Sequence, residues 1–120
     1  MNLSNAAVVN QSSWQAVCQA ADLVADSGVV VWHGGEQVAL FYLPGHEQVL
    51  YAIDNRDPRS GANIIGRGLV GSLQGELVVA APLYKQHFSL QDGRCLEDPA
   101  QRLRVWPVRV VAGLVEIGLG

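Results

Sequence analysis

"GVVVWHGGEQVALFYL", residues 28–43, sets the fold class of this chain. Two apolar runs flank Gly34-Gly35, and a Gly-Gly pair between such runs is typical of a two-residue β-hairpin turn. Pro44-Gly45 ends the second run, since proline cannot donate a hydrogen bond within a central strand. The segment therefore predicts two adjacent antiparallel strands.

The rest of the chain repeats this pattern of short apolar runs and tight turns. A third strand is predicted in "QVLYAID", residues 48–54, with Val49, Tyr51 and Ile53 on one face. One short helical turn is predicted near Ala20 to Val24. The total is eight or nine short strands and very little helix, which predicts an all-β antiparallel sandwich or small barrel. The later strands are predicted in "ELVVAAP" (76–82), "HFSL" (87–90), "RCL" (94–96), "RLRVWPVRVV" (102–111) and "LVEIGL" (114–119), with Pro107 implying an edge position or a bulge.

Length and composition predict one globular domain. The 120 residues are 49% hydrophobic and 16% charged, which is too apolar for a disordered chain. Residues 1–13 are small and polar and are predicted to be a flexible lead-in, so that the β domain spans residues 14–120. No segment has the length for a second domain.

Charge and hydropathy exclude several classes of partner. The formal net charge is −3 and the basic residues are dispersed, which argues against nucleic-acid binding. No apolar run reaches the roughly 18 residues of a membrane helix, so no membrane partner is expected. The N-terminus lacks the pattern of a signal peptide, and a cytoplasmic location is therefore expected.

No residue set has the spacing of a catalytic or metal site. His33, His46 and His87 are isolated, and Cys18 and Cys95 are far apart, which favours structural histidines and two reduced thiols. We therefore expect no catalytic, cofactor-binding or metal-binding residues. The remaining candidates have simpler interpretations. "GRGLVG" (66–71) resembles a dinucleotide-binding motif but lacks the following helix that such a motif requires. Four acidic residues are expected in solvated turns, namely Asp54, Asp57, Glu97 and Asp98, and three tryptophans are expected to pack in or near the core, namely Trp14, Trp32 and Trp106.

Two irregular segments interrupt the strands. "DNRDPRSGANIIGRG", residues 54–68, is long for a loop in a compact β domain, and such loops are commonly functional. "APLYKQ", residues 81–86, is the second.

These two segments resemble the cluster loops of Rieske-type ferredoxin domains, in which C-P-H-x-G-A and C-P-x-H hold a [2Fe–2S] cluster. "DPRSGA" (57–62) keeps the proline and the Gly-Ala pair of the first loop, and "APLYKQHF" (81–88) keeps the proline and the aromatic residue of the second. All four ligand types are replaced. Asp57, Arg59, Ala81 and Tyr84 stand at the vacated ligand positions.

A Rieske-like frame with these replacements is similar to one family in particular, the small subunit of assimilatory NAD(P)H-dependent nitrite reductase. "QVLYAIDNRDP", "GLVGSLQGELVVAAPLYKQHFSLQDGRCLED" and "PVRVVAGLVEI" carry the resemblance. The resemblance implies a large-subunit partner with FAD, a [4Fe–4S] centre and sirohaem, which reduces nitrite to ammonium. This chain would then be a cofactor-free structural or regulatory subunit.

Two alternatives of different class stay open: a Rieske-type [2Fe–2S] electron-transfer ferredoxin with unusual ligands, and a stand-alone β module that binds a peptide or small ligand. If the subunit interpretation holds, the two loops are the expected docking surface. Arg59, Tyr84 and Lys85 are the expected contacts, because Arg and Tyr are favoured at interface hot spots.

Overall fold

The structure is a computed structural model that describes residues 13–118. Residues 1–12 of the predicted lead-in and the last two residues of the predicted domain lie outside this range. The described chain has ten strands rather than eight or nine, and its helical content is two 3₁₀ turns, Ala20–Asp22 and Ile65–Arg67. The strands are β1 Trp14–Gln19, β2 Ser27–His33, β3 Glu36–Tyr42, β4 Leu50–Asp54, β5 Leu69–Leu73, β6 Glu76–Ala80, β7 His87–Ser89, β8 Val105–Trp106, β9 Val108–Val111 and β10 Leu114–Gly118.

The strand predictions differ from the structure where the hydrophobic signal is weak. β1 contains polar residues on both faces, and β5 contains Gly71 and is largely exposed, so neither was predicted. The predicted strand 102–111 is two strands, because Pro107 separates β8 from β9. "RCL" forms only isolated bridges, Phe88 with Cys95 and Arg94 with Arg102.

Three antiparallel sheets stack into a sandwich. The central sheet has the order β2-β3-β4-β8, and its two faces are covered by the sheets β1-β10-β9 and β5-β6-β7. Alternation along β3 explains the arrangement: Val38 and Leu40 pack with Val115 of β10, whereas Ala39 and Phe41 pack with Val79 of β6. The predicted all-β sandwich is therefore confirmed, with a smaller sheet that carries the two loops.

Tight turns fix the register of three hairpins. Gly34-Gly35, Gln74-Gly75 and Ala112-Gly113 all have positive φ at both positions, the backbone of a type I′ turn. This turn has a twist that matches that of the flanking strands. The β2–β3, β5–β6 and β9–β10 pairings follow directly from these turns.

Two packing expectations are wrong. Trp32 lies in the edge strand β2, on the strand face opposite buried Val31 and His33, and the residue is 66% exposed rather than packed in the core. Val49 is exposed and precedes β4, so it does not share the buried face of Tyr51 and Ile53. Trp106, by contrast, is buried in the core between the central sheet and β10, as expected.

The fold brings the two irregular segments to the β5-β6-β7 side of the molecule. The first runs from the end of β4 to the start of β5, and the second joins β6 to β7. Gly66 lets the first segment approach the central sheet, because a Cβ at this position would lie 2.8 Å from Val30 Cγ2. No helix among residues 13–118 has the length and apolar character needed to cross a membrane.

Candidate functional site

The first loop, residues 55–68, closes on itself through backbone and Asp57 hydrogen bonds. The Asp57 N–H donates to the Ala62 carbonyl at 2.8 Å, and the Asp57 carbonyl accepts the Gly61 N–H at 2.8 Å. Asp57 Oδ1 also accepts the Arg59 N–H at 2.9 Å. Asp57 is fully buried, so the expectation of a solvated turn is wrong for this residue. An aspartate at the first ligand position therefore holds the loop with protein hydrogen bonds.

Asn55 fastens this loop to the rest of the domain. Its Oδ1 accepts the Gly66 N–H at 2.6 Å, and its Nδ2 donates to Gln37 Oε1 at 2.9 Å. The Ile65 N–H donates to the Asn55 carbonyl at 3.0 Å. The buried amide thus joins the first residue of the loop to its end and to β3. Sequence analysis missed this residue, because a single Asn after a strand has no recognisable spacing.

The second loop, residues 81–86, is narrow at its base and exposed at its apex. The Ala81 N–H donates to the Gln86 carbonyl at 2.8 Å, and both residues are buried. At the apex, Tyr84 and Lys85 have φ of 61° and 50°, in the left-handed region. Residues other than glycine enter this region at a cost of about 1 kcal/mol or more each. The backbone of the loop is therefore strained at Tyr84 and Lys85, and the side chains of both residues are exposed to solvent.

The two loops meet through an arginine and a tyrosine. The guanidinium carbon of Arg59 lies 4.4 Å from the centre of the Tyr84 ring, within cation–π distance. Both side chains are exposed, Tyr84 by 61%. The structure therefore brings together two of the three predicted docking residues, and the third, Lys85, is adjacent. The replacements at two vacated ligand positions contact each other across the loops.

The residues at these positions do not fit a [2Fe–2S] cluster, which needs four Cys or His donors. Ala81 has no donor atom, and the Arg59 guanidinium has no lone pair. Asp57 offers a hard carboxylate oxygen in place of a thiolate; its Oδ1 is bonded to the loop backbone, and its buried Oδ2 has no hydrogen-bond partner among the described residues. Within residues 13–118, no three His, Cys, Asp or Glu side chains gather as a metal site. Both cysteines are free: Cys18 lies in β1, and the Cys95 thiol is buried and contacts Glu97 at 3.6 Å.

A groove of about 410 Å³ lies beside the second loop. Arg67 and Leu69 form one wall, and Pro82, Lys85 and His87 form the other. His87 Nδ1 lies 2.6 Å from Glu97 Oε2, and its backbone N–H donates to Glu97 Oε1. Burial of the carboxylate opposes its ionisation, but the hydrogen bonds from His87 outweigh it and lower the pKa of Glu97.

The other candidate residues have structural contacts. His33 is buried and packs edge-on against Trp106, with ring centres 4.9 Å apart. Asp54 accepts hydrogen bonds from the Trp106 indole and the Arg104 N–H. Asp98 accepts the Ala100 N–H within its own turn. "GRGLVG" leads into β5 and not into a helix, as expected.

Comparison with known proteins gives the family. The family model for the Rieske-like [2Fe–2S] domain matches residues 13–118. The NADH nitrite reductase small subunit of Salmonella typhimurium is 43% identical over 106 residues, which cover 88% of this chain and 97% of that protein. The NAD(P)H nitrite reductase large subunit of Klebsiella oxytoca is also 43% identical, over 105 residues that make up 11% of its length. A domain similar to this chain thus forms part of that large subunit.

Solved structures agree with the sequence matches. The Escherichia coli protein NirD superposes with a TM-score of 0.79 at 39% identity, covering 89% of this chain and 96% of that one. The ferredoxin of carbazole 1,9a-dioxygenase from Nocardioides aromaticivorans has a TM-score of 0.74 at 16% identity, which shows the shared fold alone. The chain belongs to the Rieske-like [2Fe–2S] domain family and, within it, to the small subunits of NAD(P)H nitrite reductase, components of an oxidoreductase.

Proposed function

We propose that this chain is a cofactor-free small subunit that binds the large subunit of a cytoplasmic, assimilatory nitrite reductase. The observation that carries the proposal is the 43% identity that extends over 97% of a nitrite reductase small subunit. The Klebsiella large subunit supports the pairing, because there a similar domain is covalently joined to a large subunit. FAD, [4Fe–4S] and sirohaem belong to the large subunit, which reduces nitrite to ammonium with electrons from NADH or NADPH.

The cofactor-free role is supported by the way the two loops are held. In a cluster protein the iron ligands join the loops. Here the Asp57 hydrogen bonds and the contact of Arg59 with Tyr84 occupy those positions. A subunit of this kind contributes to the complex through its surface, by stabilising or regulating the large subunit.

Co-purification tests the proposal. The tagged chain, produced in cells grown on nitrate, is expected to bring down a flavin- and haem-containing partner. The chain purified alone is expected to be folded, colourless and free of iron. A reddish-brown chain with about two irons would instead support the electron-transfer ferredoxin. A large subunit that is fully stable and active without this chain would contradict a required role.

We further propose that the two loops dock on the large subunit through Arg59, Tyr84 and Lys85. All three are exposed at one apex of a rigid β scaffold, where recognition residues commonly lie. Arg59→Glu is expected to weaken assembly by about tenfold or more while the isolated fold remains intact. Arg102→Glu, an equal charge reversal at an exposed residue outside both loops, is the matched control. Unchanged affinity for Arg59→Glu would refute docking through this loop.

A further inference from the structure

The charged residues of this acidic protein are unevenly distributed. Arg59, Arg67 and Lys85 are here called the basic tip, and none of them forms an ion pair with a described residue. Arg56 in the first loop and Arg102 outside both loops are likewise without an ion pair, although Arg102 Nε donates to the Asp92 carbonyl. Arg94, Arg104 and Arg109 each pair with a carboxylate. The tip carries three positive charges, so the rest of a chain with net charge −3 carries −6. The nearby Asp57 carboxylate is buried and bonded to its own loop. The basic tip is therefore a positive surface on a body of net negative charge.

An apolar centre lies within this positive surface. Leu69 is 79% exposed on the wall of the groove that Arg67 and Lys85 also line. Leu83 is about half exposed in the second loop, next to Tyr84. Exposed leucines beside cations without ion pairs are typical of an interface, in which the apolar centre gives affinity and the charged rim gives orientation.

We propose that the basic tip and its groove bind an acidic patch of the large subunit, with an apolar side chain of that patch inserted beside Leu69. This inference rests on the proposed function and specifies the chemistry of the partner surface. Carboxylates around an apolar residue would complement Arg59, Arg67 and Lys85 and would steer association.

The alternative occupants fit the charges less well. A second copy related by two-fold symmetry would place two positive tips face to face, which costs energy through like-charge repulsion. A nucleic acid would complement the tip but would be repelled by the body of the molecule, whose charge is −6 after the tip is subtracted. The polypeptide of the large subunit is favoured, because a protein surface can be negative where it meets the basic tip without being negative where it faces the rest of the chain.

The fold leaves this surface accessible when the domain is covalently joined to a large subunit. Trp14 pairs with Gly118, so both ends of the described chain emerge in the β1-β10-β9 sheet. The groove belongs to the β5-β6-β7 sheet, which packs on the other face of the central sheet. A connection of the kind implied by the Klebsiella protein would therefore start on the side of the domain opposite the groove.

The test is the affinity of the folded chain for the intact large subunit, measured by calorimetry between roughly 50 and 400 mM salt. Wild-type affinity is expected to fall at least about fivefold over this range, because screening weakens the charge contacts. Arg67→Glu is expected to weaken binding by about tenfold at low salt and to reduce the salt dependence. Leu69→Ser is expected to weaken binding about equally at all salt concentrations.

Matched variants control for non-specific effects. Arg102→Glu reverses an exposed charge outside the basic tip, and Val110→Ser removes an exposed apolar side chain from the edge strand β9. Both are expected to bind within about twofold of wild type. Circular dichroism and thermal midpoints confirm that every variant is folded.

The outcomes separate this inference from the proposed function. No binding of the wild-type chain at any salt concentration would contradict the proposed function itself. Wild-type binding that is insensitive to salt, or equal losses in tip and control variants, would overturn the tip inference alone. Self-association or binding of double-stranded DNA through Arg67 and Leu69 would also overturn it, since another occupant would then hold the groove.

Discussion

Asn55 shows how one buried amide can determine the shape of a functional loop. Its side chain joins β3 to the end of the first loop, and the Gly66 N–H that it accepts is buried away from water. Buried polar groups that lose a partner cost about 1–3 kcal/mol each. The loop conformation therefore depends on Asn55 as well as on Asp57.

Asn55→Ala is expected to lower the free energy of unfolding by about 2–4 kcal/mol, because it leaves the Gly66 N–H without its acceptor. Chemical denaturation followed by tryptophan fluorescence measures the change. Asn63→Ala, an exposed asparagine in the same loop, is the control and is expected to change stability by less than about 0.5 kcal/mol. Equal effects of the two substitutions would show that Asn55 does not anchor the loop.

The strands were predictable where apolar periodicity and turn residues agreed. Gly34-Gly35 and Ala112-Gly113 identify their hairpins, because both demand a backbone that few other residues adopt. β5 was not predictable, since Leu69 faces solvent and Gly71 weakens the pattern. Because Leu69 is exposed, β5 lacks the alternating apolar pattern of a half-buried strand, and for the same reason Leu69 can line the groove.

For the site, the sequence predicted the positions of the two loops but not the contacts between their side chains. The prolines and glycines of the two loops identified the positions of Asp57, Arg59, Ala81 and Tyr84, but the contacts among these residues depend on tertiary structure. Sequence spacing gives no measure of the distance between Arg59 and Tyr84, which are 25 residues apart in the chain and stack at 4.4 Å. The groove residues Arg67 and Leu69 were missed for the same reason.

The strained apex of the second loop gives a prediction at this scale. Lys85→Gly is expected to raise the free energy of unfolding by up to about 1 kcal/mol, because glycine adopts the φ of 50° without the steric cost of a side chain. The greater freedom of glycine in the unfolded chain offsets part of this gain. Binding to the large subunit is expected to weaken, since the cation is lost.

Gln74→Gly is the matched control, because Gln74 has a φ of 53° in the β5–β6 hairpin, away from the groove. It is expected to change stability by a similar amount and to leave binding unchanged. Thermal unfolding and calorimetry give the two quantities. A loss of more than about 1 kcal/mol in Lys85→Gly alone would mean that the lysine side chain stabilises the loop through packing.

At the scale of the whole molecule, two carboxyl groups with lowered pKa values limit stability at acid pH, and two thiols with raised pKa values limit it at alkaline pH. A hydrogen bond from the Arg94 backbone N–H lowers the pKa of Asp92 below its ordinary 3.8. Burial partly opposes this effect, and the Arg94 guanidinium adds to it. The pKa of Glu97 is also lowered from 4.5, as described above. Burial raises the pKa of both thiols above 9.0, and Asp22 adds to the effect at Cys18.

The free energy of unfolding is therefore expected to be highest between about pH 5 and pH 8. Below this plateau the unfolded chain binds protons that folded Asp92 and Glu97 resist, so stability falls as the pH drops through their lowered pKa values. Above about pH 9 the unfolded thiols ionise before the folded ones, and stability falls again. Urea denaturation across this range measures both limits, with Asp92→Asn expected to flatten the acid limb and Cys18→Ser the alkaline limb. Stability that continued to rise below pH 4, or an acid limb unchanged in Asp92→Asn, would contradict this assignment.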